Sequence, residues 1–347
     1  MKGVGMTRTG GDDRADFPVL KQRRRGSAEK ALQVAGNRAA LDEARAKLVD
    51  DMLAPSSKAP KASKLELAEA IARQAGHEVL YPLTPDVIMD VAASLKAGDY
   101  GSGHFYLVEL RARHQDLGHD LGSALVRLFD RCKASIERGL GGPVRAGVFD
   151  MKTFKLDTMG ENQDDRSLVL STWFLNREIE SSFARLHVSH VKLTPDRVVW
   201  SLPVSKNDTA GTGASRSWPC LCGKSFGPAI GVVTFRVCPR CTMERQIVYA
   251  CHFLGVGQEC DSAKLLPLFP DDQGERMKKA AVIRAWRSAA ARRGLDPELA
   301  EAITGHTGRR AGAQLLARCG WARWQVQFLA RHTTSQIDAY VEEAWAD

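Results

Sequence analysis

The stretch GHTGRR, residues 305–310, is the part of the sequence on which the interpretation of the fold depends. It places His306 and Arg309 three residues apart at the start of a predicted helix, so both side chains project from one face. A histidine can donate to an anion or transfer a proton, and a guanidinium can bind a phosphate through parallel N–H groups. This pair therefore indicates a phosphate site, provided that other suitable residues occur elsewhere in the chain.

Four such residues do occur elsewhere. Arg177 lies inside FLNREIESSF, and Lys206 follows a predicted strand in LPVSKND. His332 ends WQVQFLARH, and Tyr340 comes eight residues later. With GHTGRR, this set suits attack on a phosphodiester, because a tyrosine can be the nucleophile and a lysine can protonate the leaving alkoxide. Taken singly, each residue is more commonly structural, and the joint occurrence in one order favours chemistry.

The order of these residues resembles the tyrosine recombinase and phage integrase family. The matching segments are Arg177-Glu178-Ile179-Glu180 for Arg-x-x-Glu on a helix before a β-hairpin, Lys206 beside the hairpin, Gly305-His306-Thr307-Gly308-Arg309 for Gly-His-x-x-Arg, Leu329-Ala330-Arg331-His332 for Leu-x-His, and Tyr340. The motifs cover about residues 150–347. Gly308 occupies a position where the family usually has Leu, and the family's tyrosine usually follows after about nine residues.

The resemblance implies a mainly α fold with a small antiparallel β-hairpin or sheet in an α+β catalytic domain, preceded by a helical N-terminal domain. It also implies that Tyr340 attacks a DNA phosphate, forms a 3′-phosphotyrosyl intermediate and frees a 5′-hydroxyl, with Lys206 as the general acid. The residues implied to stabilise the transition state are Arg177, His306, Arg309 and His332. No cofactor is implied for catalysis.

The function implied is that of a site-specific DNA recombinase of a mobile element. Its partners would be double-stranded DNA and further copies of the chain, assembled as a dimer or tetramer. Two alternatives stay open: a catalytically inactive or domesticated DNA-binding descendant, and a type IB topoisomerase-like enzyme that relaxes supercoils.

Composition predicts three regions along the 347 residues. Residues 1–62 are predicted to be a disordered basic arm, a short helix over 27–53 and a linker, whose Pro-, Ser- and Lys-rich composition spans 54–64 and so overlaps the start of the next region. Residues 63–148 carry four amphipathic helical patterns and predict a helical core-binding domain that contacts DNA. Residues 149–347 are predicted to be the catalytic domain, with a helix over 165–184 and a β-hairpin formed by 187–193 and 197–204.

A cysteine-rich segment at about 207–241 is predicted to be an insertion near that hairpin. Cys220-x-Cys222 and Cys238-x-x-Cys241 form two close pairs, which is typical of a structural zinc site with four thiolate ligands. Cys251 and His252 are alternative ligands. The competing interpretation is that these cysteines are small buried hydrophobic residues.

The net charge of +8 and the pI near 9.1 favour a polyanionic partner. No apolar run approaches 18 residues, so no membrane partner is expected. The N-terminus lacks the apolar core of a signal peptide. We therefore expect an intracellular protein, located in the nucleus if eukaryotic and in the cytoplasm or nucleoid if bacterial.

Overall fold

The computed structural model describes residues 26–53, 55–140, 147–151, 160–182, 187–202, 213–331 and 336–346. The chain separates into two compact units, an N-terminal unit over Arg24–Val144 and a C-terminal unit over Arg145–Asp347. The described part is mainly helical with one small antiparallel sheet, which confirms the predicted fold class.

The N-terminal unit consists of helices joined by short connections, with no strand among its described residues. Its helices are α1 (Ala28–Gly36), α2 (Arg38–Asp51), α3 (Pro55–Gln74), α4 (Pro85–Ala97), α5 (Gly103–Asp116) and α6 (Ser123–Glu137). The Thr84 side chain accepts a hydrogen bond from Val87 N, and Pro85 occupies the first helical turn, so α4 starts where Thr-Pro predicts. Helices α3 to α6 enclose one apolar core around Ile88, Leu107 and Phe129.

The linker predicted over residues 54–64 is wrong for its described residues, because Pro55–Gln74 form the single helix α3. Pro60 lies inside this helix, where a proline removes one backbone hydrogen bond. Alanine and lysine, which make up half of residues 55–64, are strong helix formers. Burial of Ala68 and Ala72 anchors the second half of α3, so the first half extends from an already packed helix.

The C-terminal unit surrounds α7, a helix that is buried along nearly its whole length. Its helices are α7 (Gln163–Trp173), α8 (Glu178–Ser182), α9 (Pro239–Phe253), α10 (Lys279–Arg292), α11 (Pro297–Glu301), α12 (Thr307–Arg318), α13 (Arg323–Ala330) and α14 (Gln336–Ala346). Helices α9, α10 and α12 pack around α7. None of the helices in the described residues is long and apolar enough to cross a membrane.

The sheet has three antiparallel strands in the order β1 (Val191–Leu193), β2 (Arg197–Leu202) and β3 (Ala214–Pro219). The predicted β1–β2 hairpin is confirmed, although its first strand begins only at Val191, after a 3₁₀ turn. Strand β3 was not predicted, because it lies inside the segment assigned to a cysteine-rich insertion. Its register places Arg216 opposite Trp200 and Trp218 opposite Val198.

Large aromatic residues fill the space between the sheet and α7. Trp173, Phe174 and Trp200 are at most 1% exposed. The rings of Phe174 and Trp200 meet edge to face, as do those of Trp173 and Trp218. The end of α7 is therefore held firmly against β2 and β3, which determines where the chain turns next.

Candidate active site and cysteine cluster

A sharp turn separates α7 from α8 and delivers Arg177 to the site. Leu175 adopts a left-handed backbone conformation with φ of 51°, and Asn176 N donates to Ser171 O at 2.8 Å. The predicted helix over 165–184 is therefore interrupted at this point. The break directs Arg177 and the following helix away from the axis of α7, towards the start of α12.

Helix α12 begins at the GHTGRR stretch and comes unusually close to α7 and α8. A Cβ atom added at Gly305 would overlap the Glu178 carboxylate, and one added at Gly312 would overlap Thr172 O. At Gly308 it would lie 2.8 Å from Ser171 Cβ. These close approaches leave little room for a side chain at position 308, where the family that the motifs resemble usually has Leu. They bring Arg309 within reach of the segment that carries Arg177.

Glu180 is the residue that joins the two predicted arginines. Arg309 Nη2 donates to its two carboxylate oxygens at 2.7 and 2.9 Å, and the Arg177 side chain approaches at 3.4 Å. The backbone N–H of Arg177 also donates to Glu180, at 2.7 Å. Burial alone would raise the pKa of Glu180, but the charges of Arg309, Arg216 and Arg177 together lower it. Glu180 is therefore an ionised anchor for both arginines.

Arg216 is a third arginine of this cluster, and the sequence analysis missed it. Its Nη1 donates to Phe174 O and, at 2.5 Å, to Asn176 Oδ1. Burial, opposed by the Glu180 charge, lowers its pKa to about 9. The signal available in the sequence was the period-two pattern of ASRSWP, residues 214–219, which places Arg216 and Trp218 on the same face of a strand. Without β3 that signal could not be used.

Several buried donors of the cluster have no hydrogen-bond partner among the residues that the structure describes. They are Nε of Arg177, Nε and Nη2 of Arg216, and Nδ2 of Asn176. Three guanidinium groups face the single carboxylate of Glu180, so positive charge is in excess within this group. A buried site with surplus donors and surplus positive charge is suited to an anion.

His306 lies at the N-cap of α12 with its side chain exposed to solvent. Desolvation by the surrounding protein lowers its pKa; the Glu178 charge opposes this shift, and Arg177 and Arg309 reinforce it. Glu178 itself pairs with Lys279 at 3.0 Å. His306 is therefore a predominantly neutral imidazole at pH 7, beside the two arginines.

Tyr340 lies on α14, which packs against α12 and α13 of the same chain. Arg310 and Glu343 pair across the first of these contacts at 2.5 Å, and Ile337 is fully buried on the inner face of α14. Tyr340, one turn before Glu343, is half-buried. Burial lowers the pKa of Arg309, and the charge of Glu180 and, as the smallest contribution, that of Tyr340 oppose this shift, so Tyr340 lies within electrostatic range of Arg309. The short spacing from His332 therefore does not keep Tyr340 out of range of Arg309.

The structure thus brings together Arg177, His306, Arg309 and Tyr340. Lys206 and His332 lie outside the described residues. Lys206 belongs in sequence to the segment that joins β2 to β3, and His332 follows the last described residue after α13.

The four predicted cysteines form one cluster. Their sulfur atoms all lie within 4.8 Å of one another, with Sγ–Sγ distances of 3.5 Å for Cys222–Cys241, 3.8 Å for Cys220–Cys238 and 3.9 Å for Cys220–Cys241. A tetrahedron with zinc–sulfur bonds of about 2.3 Å has edges of roughly 3.8 Å. The cluster therefore fits a tetrahedral metal ion. Cys251 and His252 are not part of it.

A metal ion would also stabilise the deprotonated thiolates of the cluster. Burial and the neighbouring thiolates raise the pKa of Cys241 to about 11, so its thiol would stay protonated without a cation. The Leu221 N–H donates to Cys238 Sγ at 3.2 Å, as is usual for a thiolate ligand.

The cysteine cluster lies at the end of the sheet opposite the β2–β3 connection. Cys220 follows the last residue of β3, and its N–H donates to Asp196 O in the β1–β2 turn. The Lys206 segment starts after Leu202, which pairs with Ala214 at the other end of β3. A six-residue strand separates these ends by about 17 Å. The cluster therefore lies beside the β1–β2 turn of the predicted hairpin, at the end of β3 that is remote from Leu202.

No protein-family model and no curated protein matches the sequence. Solved structures do match. A lambda integrase dimer bound to a COC′ core site has 14% identity and a TM-score of 0.53, covering 87% of this chain and 93% of that chain. A lambda integrase tetramer bound to a Holliday junction gives 14% identity and a TM-score of 0.54, covering 88% and 76%. The Tn1549 transposon integrase in complex with transposon right end DNA has 12% identity and a TM-score of 0.50, and the match covers 80% of this chain and 86% of that chain.

At these identities the likeness is one of fold. It extends over most of this chain and most of each solved chain, and it agrees with the family whose motifs the sequence carries in order. The protein therefore has the fold of the tyrosine recombinases.

Proposed function

We propose that this protein is a site-specific recombinase, of the kind that mobile elements use, which cuts and rejoins double-stranded DNA through Tyr340. One observation carries the proposal: two arginines from remote segments share the Glu180 carboxylate beside the helix that bears Tyr340. A phosphate held by Arg177 and Arg309 would lie next to a tyrosine hydroxyl, which is the arrangement that nucleophilic attack on phosphorus needs.

In the proposed reaction, Tyr340 Oη forms a bond to the phosphorus of a DNA backbone phosphate, and the bond from phosphorus to the 5′ oxygen breaks. The tyrosine proton passes to a neutral imidazole, and His306, at the N-cap of α12 near Arg309, is the residue proposed to accept it. Lys206 would protonate the leaving 5′ oxygen, and His332 would donate to a non-bridging oxygen. Rejoining reverses these steps, and the phosphoester energy is retained in the tyrosyl link.

Covalent capture on nicked DNA tests this proposal. A pool of duplexes with randomised sequence carries a nick, so that a cleaved short 5′-hydroxyl strand diffuses away and the adduct accumulates. We expect wild type to give an adduct that survives denaturant, with the DNA attached to Tyr340 by mass spectrometry. Tyr340→Phe should give none, whereas Tyr249→Phe, which alters another half-buried helical tyrosine of the same unit, should behave as wild type.

An adduct that persists in Tyr340→Phe would refute the nucleophile. Tight DNA binding by wild type without any adduct would instead favour the inactive DNA-binding alternative. Relaxation of a supercoiled plasmid that lacks paired sites would favour the topoisomerase-like alternative.

We further propose that the protein assembles on DNA as a dimer or tetramer. The lambda integrase structures to which it is similar are a dimer on a core site and a tetramer on a Holliday junction. The mass of complexes formed on a captured site, measured by analytical ultracentrifugation, tests this. A complex with one chain per duplex at saturating protein would contradict it.

We propose that Cys220, Cys222, Cys238 and Cys241 hold a structural zinc ion. The sulfur spacing carries this proposal, since the described thiols already match the edges of a tetrahedral site. Elemental analysis should find about one zinc per chain in wild type and none after Cys222→Ser with Cys241→Ser. Stoichiometric zinc in that double variant would contradict the assignment.

A further inference from the structure

Arg216 is the feature of the cluster that the recombinase motifs do not account for. It lies on β3, outside every segment that resembles the family, and only 5% of its surface is exposed. The partners of its Nη1 are both in the turn between α7 and α8, namely Phe174 O and Asn176 Oδ1. Arg177 is the next residue of that turn. Arg216 therefore contacts the backbone and side chain that lead directly into Arg177.

Stability alone gives no reason for an arginine at this position. A buried guanidinium pays a large desolvation penalty, and a well-packed apolar side chain of similar volume is often as stable or more stable. The carboxylate that acts on Arg216 is Glu180, whose two oxygens already accept from Arg309. Nε and Nη2 of Arg216 also lack partners among the described residues. A functional role for its charge and its several N–H donors would explain why an arginine is buried at this position.

We propose that Arg216 is a positioning residue that holds the Phe174–Arg177 turn so that Arg177 faces the phosphate. The bonds from Nη1 fix the peptide carbonyl of Phe174 and the amide of Asn176. That leaves Arg177 N directed at Glu180, at 2.7 Å, and the Arg177 guanidinium beside Arg309. A bound phosphate would supply the negative charge that three guanidiniums and one carboxylate lack. This inference rests on the proposed function.

The test uses two variants and a matched control in the full-length protein. Arg216→Met keeps an unbranched side chain but removes the charge and the planar set of guanidinium N–H donors. Arg216→Lys keeps the charge but not that set of donors. Ser217→Ala is the control, because Ser217 is the next residue of β3, exposed on its opposite face. The readouts are the melting temperature, the affinity for captured DNA and the rate of adduct formation.

We expect Arg216→Met to keep its melting temperature and DNA affinity while adduct formation slows about tenfold to a hundredfold, the size of one lost charge-assisted hydrogen bond. Arg216→Lys should be slowed to a similar extent, and Ser217→Ala should match wild type. Combined with Arg177→Ala, Arg216→Met should cause no further loss, because Arg216 acts through Arg177. Three results would overturn the inference. One is a double variant whose rate loss is the product of the two single losses, and another is a wild-type rate of adduct formation in Arg216→Met. The third is slower adduct formation accompanied by lower melting temperatures in both Arg216→Met and Arg216→Lys.

A second measurement separates this inference from the proposed function. Inorganic phosphate at constant ionic strength should raise the melting temperature of wild type and Ser217→Ala, but not that of Arg177→Ala or Arg216→Met. If wild type forms no adduct yet shows this pattern, the recombinase proposal fails and the role of Arg216 stands. An equal shift in wild type and Arg216→Met, or no shift in wild type, overturns the role of Arg216.

Discussion

The arginine cluster and the cysteine cluster of the C-terminal unit are built in opposite ways. The first joins side chains from a turn, a strand and a helix that are far apart in sequence, namely Arg177, Arg216 and Arg309. The second joins two close pairs within a segment of 22 residues, Cys220 to Cys241. The arginine cluster is buried and the cysteine cluster is partly buried, and each has an imbalance of charge or donors. The three arginines share one carboxylate and so suit a further anion, and the thiols suit a cation.

The difference matches the two proposed roles. A bound metal would satisfy all four thiolates of the tetrahedron, so it would stabilise β3 and the start of α9 and leave no open position. The arginine cluster keeps donors that have no partner among the described residues, so their hydrogen bonds are suited to a ligand. The Trp173 indole connects the two regions, since Nε1 donates to Val237 O at 2.6 Å, beside Cys238. The following predictions test this division of roles.

Loss of metal from the cysteine cluster should have the largest effect on stability. Structural zinc contributes on the order of 10 kcal/mol of apparent binding free energy in small domains. Cys222→Ser with Cys241→Ser, or a strong chelator added to wild type, should therefore lower the melting temperature steeply by calorimetry. Cys260→Ser alters an exposed cysteine outside the cluster and should leave the melting temperature unchanged. A melting temperature unchanged by the chelator would show that the cysteines are packed apolar residues, and the contrast between a cation site and an anion site would then be wrong.

Glu180→Gln should have the next largest effect, because it removes the carboxylate shared by the buried arginines. Breaking a buried ion pair costs about 3–5 kcal/mol. Urea unfolding measures the loss. Glu178→Gln, on the same helix and paired with the half-exposed Lys279, should lose much less. Equal losses in the two variants would mean that Glu180 is not the anchor of the cluster.

Gly312→Ala tests whether the approach of α12 to α7 brings Arg309 to its place. The added methyl group would overlap Thr172 O, and overpacking of this kind costs about 1–3 kcal/mol. We expect lower stability and slower DNA cleavage, because α12 must move away from α7. Gly320→Ala would be a poor control, since that glycine has φ of 83°. Ala313→Gly, which also alters α12 but adds no atoms, should keep the cleavage rate closer to wild type.

Acid titration should produce the smallest change in stability, and it tests whether the arginine cluster depends on the ionised Glu180 carboxylate. The pKa of Glu180 is lowered in the folded protein, so its contribution to stability is fully present above the ordinary pKa of 4.5 and is lost as pH falls through the lower folded value. Stability of wild type, measured by urea unfolding below pH 4.5, should therefore fall more steeply than that of Glu180→Gln. Parallel curves for the two proteins would contradict the ionised anchor.

Much of both clusters could be predicted from sequence because their chemistry is local. The two cysteine pairs carry metal-ligand spacing within one segment, and GHTGRR carries His306 and Arg309 on one turn of helix. Arg177 and Tyr340 followed from the order of the motifs. The roles of Lys206 and His332, and the identity of the metal, stay predictions.

Other features depended on long-range contacts. The turn at Leu175 interrupts a segment whose helical pattern continues through it, because packing of Trp173 and Phe174 against the sheet takes precedence over local propensity. Strand β3 was hidden by the glycines and cysteines around it, and with it Arg216. The helix over the predicted linker formed because its second half is buried in a core that composition does not show.

The amino-acid sequence by itself determined the helical character of the protein, the metal-ligand spacing of its cysteines and the order of the motifs that includes Arg177, Arg309 and Tyr340. Only the tertiary structure decided that Glu180 would join two of these arginines and that Arg216 would be the third. The physical reason is that a buried charge is tolerated only where other charges compensate for it. Which charges meet depends on the packing of α7, α12 and β3, whose contacts connect residues more than a hundred positions apart.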